Sequence, residues 1–435
     1  MKFNVLGFFL TLIGFSCIYF FSCKSPATPN EGAASRWVKH PRIYWTERPS
    51  EHAVISWTSG FLSSQNKVYY DTLSHAHETA SRYAFSSSRV VSGPITMSLS
   101  DLIAEVPQAY FNHAEIDSLR PNTRYYYRFC TGQVCSEEYY FISAPKQSNN
   151  ARFLFGGDSR VGKSGEEDDD PHNHHTRRMM NRLIAKLIEA DTQIMALVHG
   201  ADYGMKATWK YLYYWFQDHE LTITSDNRVL PLIISRGNHD HQVGFTENFR
   251  LGYITENASD GYYYSTQLTD SIALITLNTE TAMGGYQKNW LEKELKRLRK
   301  NQKWLMVQYH KPAFPAVKPY EREDFARVRK AWVPLFEKYQ IDLAMESDGH
   351  ALKKTAPILN ERVHPEGIVY IGEGGMGVPQ RKTDPNRWYF HNGGHASSNH
   401  HVWKISIQQD SLFAQAIGMQ NEIILSFSLP TRKFK

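Results

Sequence analysis

A chain of 435 residues is longer than one hydrophobic core usually spans, so two domains with accessory segments are expected. With 41% hydrophobic and 21% charged residues it reads as an ordinary soluble globular protein. A net charge of +5 is small for this length, and Lys and Arg are scattered without a basic face, which argues against nucleic acid as a partner.

In chain order, Lys2 precedes an almost unbroken apolar stretch from Val5 to Phe21, ending at Ser22-Cys23-Lys24. This pattern resembles a secretory signal over residues 1–23. The cysteine after Ser22 gives it the look of a bacterial lipoprotein signal, in which Cys23 would carry a lipid and tether the chain to a membrane. An uncleaved anchor and simple secretion are the alternatives. No other stretch reaches the ~20 apolar residues that span a bilayer. Residues 24–36 form a small, polar, Pro-containing linker.

From residue 37 to 145 short alternating strands are predicted at Arg42–Trp45, Ala53–Thr58, Lys67–Asp71, Ala109–Ile116, Tyr125–Cys130 and Glu138–Ile142. Turn residues separate them and no helical period competes, which is the pattern of a β-sandwich. Leu119, Pro121, Thr123 and Tyr125 or Tyr127 resemble the corner passage of fibronectin type III-like domains. Cys130 and Cys135 flank a hairpin loop and read as a structural disulfide, since a lone pair lacks two further zinc ligands.

From 146 to 435 strands and helices alternate. Strands are predicted at 152–156, 193–199, 230–235, 271–277, 304–309, 341–346 and 367–372, with helices near 174–190, 206–219, 285–300 and 322–339. Further strands at 401–408, 411–417 and 422–428 make this an α/β domain with mixed sheets. Five of the strands run directly into polar clusters: Gly157-Asp158-Ser159-Arg160, Gly200-Ala201-Asp202, Gly237-Asn238-His239-Asp240, His310 and Asp348-Gly349-His350. In open α/β sheets ligands bind beyond strand C-termini, so five such ends at one rim would gather metal-binding groups in one cleft.

Together the clusters resemble the motifs of the calcineurin-like metallophosphoesterase superfamily. With the β-sandwich in front they look most like purple acid phosphatases. The resemblance implies two divalent ions (Mn, Zn, Fe or Mg), a phosphorylated small-molecule substrate and hydrolysis by an activated water. It puts Asp158 on the first ion, Asp202 between both, and Asn238 and His310 on the second. His239 would be the acid that assists the leaving group, with Asp240 orienting it.

The chain also departs from the family pattern. In the ungapped register Asp348 replaces the first of two paired histidines and His350 matches the second; the other register loses a ligand to Leu352. Met205 stands where a tyrosine ligand to iron is usual, with Tyr203 beside the aspartate, so iron colour is not implied. Arg160 stands where other members carry a histidine. Guanidinium cannot ligate a metal, but it can hold a phosphate oxygen or form a structural ion pair. His172, His174 and His175, in the acidic run from Glu166, are candidates for the missing ligand, and His395, His400 or His401 for the cleft wall. The competing reading is a surface-binding lipoprotein that keeps the fold around a degenerate metal site.

Overall fold

The computed structural model describes residues 36–103, 106–160, 162, 171–240, 242–250 and 262–432. The signal segment, Cys23 and most of the acidic run from Glu166 lie outside the described residues. Among those described, no helix is long and apolar enough to cross a membrane.

Two mixed sheets pack face to face in the C-terminal region. In the first, Asn150–Gly156, Ile194–His199 and Leu232–Ile234 run parallel side by side. Ile194–His199 is buried along its whole length, which is why it reads as a continuous apolar run. Three antiparallel strands, His401–Gln408, Ser411–Gly418 and Ile423–Pro430, extend this sheet beyond Asn150–Gly156. In the second sheet Ile272–Thr276, Trp304–Tyr309, Leu343–Glu346 and Val369–Gly372 are parallel neighbours.

Strand alternation divides the core into two. Ile272 and Leu274 point to the apolar layer shared with Leu154 and Leu197 of the first sheet. Ala273 and Ile275 point the other way, onto Leu291, Leu295 and Leu298 of the helix Gly285–Arg299. The sequence 322–339 forms two helices, Glu323–Ala331 and Val333–Lys338, rather than one. Pro334 explains the break, because it fits only the first turn of a new helix. The strand Tyr264–Thr269, unanticipated from its polar sequence, pairs antiparallel with Ile272–Thr276.

The N-terminal region is a β-sandwich. One layer holds Val38–Tyr44, Ala53–Ser59, Tyr110–Ile116 and Val90–Pro94. The other is built on Asn66–Asp71 and Arg124–Thr131. Trp57 ties the layers together, its indole N–H donating to Thr131 Oγ1 at 2.9 Å. Leu119 and Tyr125 are buried at the corner, where the Tyr125 hydroxyl accepts the Arg120 N–H at 2.8 Å. Cys130 and Cys135 form the disulfide across the hairpin. A short helix, Leu99–Ile103, interrupts the strand pattern where none was expected. The first layer does not stop at the sandwich: Tyr44 pairs in parallel with Leu232, so one ten-stranded sheet runs from the sandwich into the α/β region. From Arg36 onward the described residues form a single compact unit.

Buried histidines give this fold an acid limit. Burial pushes His113 and His219 down to about 3 and His401 to about 4. His113 sits between Ser56 Oγ and the Glu247 carbonyl, each 2.8 Å away, a pairing that suits a neutral ring. Their folded pKa values lie below the unfolded 6.5, so their stabilisation is complete above pH 6.5 and is lost as pH falls towards 4. Each contributes up to about 1.4 kcal/mol per pH unit in that window. Urea unfolding should therefore show stability declining steadily from pH 6.5 to 4.5, with a shallower slope in His113→Gln. A flat profile would contradict the buried neutral rings.

Candidate metal centre

The five polar clusters meet at the C-terminal ends of their strands. Asp158 follows Asn150–Gly156, Asp202 follows Ile194–His199, and Asn238 follows Leu232–Ile234. His310 ends Trp304–Tyr309, and Asp348 and His350 follow Leu343–Glu346. Asp158, Asp202, Asp348 and His350 all have left-handed backbones, with φ of 53°, 60°, 70° and 59°. Such conformations are costly for residues with a side chain and concentrate where structure serves a site. Two glycines clear the space: a Cβ at Gly237 would lie 2.3 Å from Asp202 Oδ1, and one at Gly374 1.9 Å from Asp158 Oδ2.

Asp158, Asp202 and His310 are buried and offer ligand atoms all within 4.8 Å of one another. His310 turns Nδ1 to the Gly200 carbonyl at 2.9 Å, which leaves Nε2 free to face the cluster. Around Nε2 stand Asn238 Oδ1 at 3.1 Å, Asp202 Oδ1 at 3.4 Å and Asp348 Oδ1 at 3.8 Å. His350 Nε2 is 3.4 Å from Asp158 Oδ1, and Asp158 Oδ2 accepts the Asp348 N–H at 2.9 Å. Ligands of a tetrahedral ion held at 2.0–2.2 Å lie about 3.3–3.6 Å apart, so these spacings suit first-row divalent ions.

The electrostatics agree with a site made for cations. Burial opposes charge on His310, but Asp202, Asp158 and Asp348 outweigh it and raise the ring to about 9. Asp158 Oδ1 and Asp348 Oδ2 are buried without a hydrogen-bond partner, a costly state unless something positive binds there. The donor set of three carboxylates, one amide and two imidazoles fits such a group.

Asp348 and His350 therefore stand at the cluster, while Leu352 begins the strand Leu352–Lys354 inside the core. The cluster opens where Asn238 is exposed and His239 half-buried. His239 places Nδ1 2.8 Å from the Met205 carbonyl and Nε2 3.8 Å from Asp202 Oδ2. Burial lowers its pKa, against the opposing pull of Asp202. Asp240 does not orient this ring, contrary to the expectation from sequence. Its carboxylate instead accepts the backbone N–H groups of Asp202, Tyr203 and Gly237 at 2.9, 3.0 and 2.8 Å, fixing the Asp202 loop. Burial, reinforced by Asp202, pushes Asp240 up to about 7. Arg160 is buried, with Nε 3.9 Å from Asp202 Oδ2.

Tyr203 lies in an aromatic cluster and donates to the Ser235 carbonyl, so it is turned away from the carboxylates. His174 is engaged with Asp218 at 2.9 Å, and His175 is exposed. The His172 side chain lies outside the described residues. His395 pairs with Ser397, and His401 with the Asn399 carbonyl. His400 is half-buried against the Gly375 carbonyl. Two cations at the cluster were not anticipated. Lys318 Nζ is 2.5 Å from Asp348 Oδ1, and Arg381 donates to the Asp348 carbonyl at 3.2 Å. Both come from loops remote in sequence from Asp348, and no spacing marks them.

Comparisons with known proteins bear on this arrangement. Residues 38–143 match the family model described as purple acid phosphatase, N-terminal domain. Purple acid phosphatase 21 of Arabidopsis thaliana is 25% identical over 280 residues, covering 61% of this chain and 58% of the relative. Fe(3+)-Zn(2+) purple acid phosphatase 12 of the same plant is 24% identical over 267 residues, covering 58% and 53%. The chain thus spans little more than half the length of these curated relatives. The solved structure of purple acid phosphatase PPD1 from yellow lupin (Lupinus luteus) shares the fold, with a TM-score of 0.72 and 16% identity over 91% of this chain and 74% of that one. The chain is thus similar in sequence to purple acid phosphatases and shares the fold of one, a β-sandwich joined to an α/β domain.

Proposed function

We propose that this chain is an exported, metal-dependent phosphohydrolase that cleaves phosphate esters of small molecules at the strand-end cluster. The observation that carries the reading is the buried set Asp158, Asp202 and His310, joined by Asn238, Asp348 and His350 at ligand spacing. Bound there, divalent ions would supply Lewis acidity and a water nucleophile at neutral pH. The protein groups do the rest. Asp202 brings Oδ1 within 3.4 Å of His310 Nε2, and Asp240 accepts the backbone N–H groups of its loop. Arg160 and His239 flank Asp202 Oδ2 and offer N–H donors to phosphate oxygens as they arrive. A bound phosphate would favour a second proton on His239, whose Nε2 is then placed to protonate the leaving oxygen.

The ions remain Mn, Zn, Fe or Mg. No phenolate joins the described donors, so an iron-phenolate colour is not expected. Export, and a lipid on Cys23, rest on the N-terminal sequence alone. A second reading, a surface-binding lipoprotein with a degenerate centre, draws on one observation, the Lys318 ammonium resting on Asp348.

Hydrolysis of p-nitrophenyl phosphate and its bis-ester by metal-loaded protein separates the two. His239→Ala should lower kcat/KM by on the order of 10²–10⁴ while metal content stays unchanged. Equal activity in the variant would remove His239 from the mechanism.

A further inference from the structure

His199 closes the buried strand Ile194–His199, a polar ring at the end of an otherwise apolar run. It stacks on Tyr203, with 4.4 Å between ring centres and 21° between planes, and Trp215 stands edge-on to it at 5.7 Å. Both ring nitrogens are used. Nδ1 accepts the Ala201 N–H at 3.2 Å, so in the neutral ring the proton sits on Nε2, which donates to Ser159 Oγ at 2.8 Å. The same hydroxyl oxygen accepts the Trp215 indole N–H at 2.9 Å, and the Ser159 carbonyl accepts from Arg177 at 3.2 Å.

The ring therefore joins the two loops that carry these aspartates. Ser159 follows Asp158 directly, and Ala201 precedes Asp202. Ala201 and Asp202 are consecutive left-handed residues, with φ of 82° and 60°, and neither is glycine. A side chain makes that conformation costly, so it persists only where the surroundings hold it. Here Ala201 is held from two sides, its N–H by His199 and its carbonyl by the Asp158 N–H at 3.0 Å. Because Ala201 is fully buried, loss of the ring nitrogen would strand its N–H in the core.

We infer that His199 is a positioning residue for the metal centre. By holding Ala201 left-handed and binding Ser159, it fixes the Asp202 carboxylate relative to that of Asp158, the spacing on which the set Asp158, Asp202 and His310 depends. Its own nitrogens are spent on the two loops, so it acts through them and not as a ligand. The inference rests on reading the cluster as a metal centre.

The test is equilibrium dialysis of the purified chain and its variants against graded free Mn²⁺, beside urea unfolding of the metal-free proteins. His199→Phe keeps an aromatic ring on Tyr203 but no acceptor, and should weaken metal binding about ten- to hundredfold. His199→Asn puts an amide oxygen near the place of Nδ1 and should recover most of that loss. His199→Gln, which reaches towards Ser159 instead, should recover less. A merely structural ring would move the unfolding midpoints and leave metal affinity unchanged, so a folded His199→Phe protein that binds Mn²⁺ as tightly as the wild type overturns the inference. Should that variant fail to fold, equal affinities in His199→Asn and His199→Gln overturn it. A wild type that binds no ion overturns the inference together with the metal-centre reading. A chain whose variants follow the expected order yet which hydrolyses no ester loses only the phosphohydrolase reading.

Discussion

Asp202→Ala is expected to lower kcat/KM for an aryl phosphate by on the order of 10³-fold or more, because it removes a buried carboxylate from the set Asp158, Asp202 and His310. Transition-state charge stabilised by a bound ion is worth several kcal/mol, and each 1.4 kcal/mol is about tenfold in rate. Asp202 is 1% exposed, and its Oδ1 also accepts the His239 backbone N–H at 3.1 Å. Its loss therefore disturbs the ligand geometry and the His239 position together. Asp202→Asn keeps the size and one acceptor oxygen, so it should fold normally while still losing tight metal. Steady-state rates beside metal counts separate the two effects. Wild-type turnover in Asp202→Ala would place the chemistry elsewhere.

Beneath the centre lies a buried charge network on which Lys353→Met should cost about 3–5 kcal/mol of stability. Lys353 is fully buried and bridges Glu346 and Glu373, with its ammonium also donating to the Phe314 carbonyl at 2.6 Å. Glu346 accepts from the Tyr309 hydroxyl and the Ala313 N–H at 2.5 and 2.7 Å. Glu373 accepts the Ala316 N–H at 2.7 Å, and burial pushes it up to about 7 against the pull of Lys353. Removing the lysine leaves two buried carboxyl groups without their cation.

The network also shapes the site, since the Glu373 carbonyl accepts the His350 N–H at 2.7 Å and its side chain packs beneath Gly349. Urea unfolding of Lys353→Met, and of Lys353→Met with Glu346→Gln, measures this. The double variant should recover part of the loss, because the second change removes a stranded charge. A single-variant loss under about 1 kcal/mol would contradict the network's role.

Much of the fold could be read from sequence because buried parallel strands are continuous apolar runs. The Ile194–His199 and Trp304–Tyr309 segments are buried at every position and flanked by polar turns. The same contrast exposed the candidate ligands, since Asp, Asn and His directly after an apolar run have few packing reasons to be there.

What stayed hidden depends on contacts between distant segments. Asp240 looked like a partner for its neighbour His239, but Asp202 and Tyr203 belong to another loop and only the fold brings their N–H groups to it. Lys318 and Arg381 arrive from loops with no motif of their own. The continuity of the sandwich with the first sheet of the α/β region rests on one parallel pairing, Tyr44 with Leu232, between residues nearly two hundred positions apart. No local pattern encodes such a pairing.

The proposed activity of this cluster is hydrolysis of phosphate esters through bound metal. Its most direct test is p-nitrophenyl phosphate turnover by chelator-stripped protein before and after adding back Mn²⁺ or Zn²⁺. The stripped protein should lose on the order of 10³-fold in rate and regain it on reconstitution, while Asp202→Ala stays inactive throughout. A stripped protein that keeps its rate, or a reconstituted one that turns over no faster than Asp202→Ala, would contradict the claim.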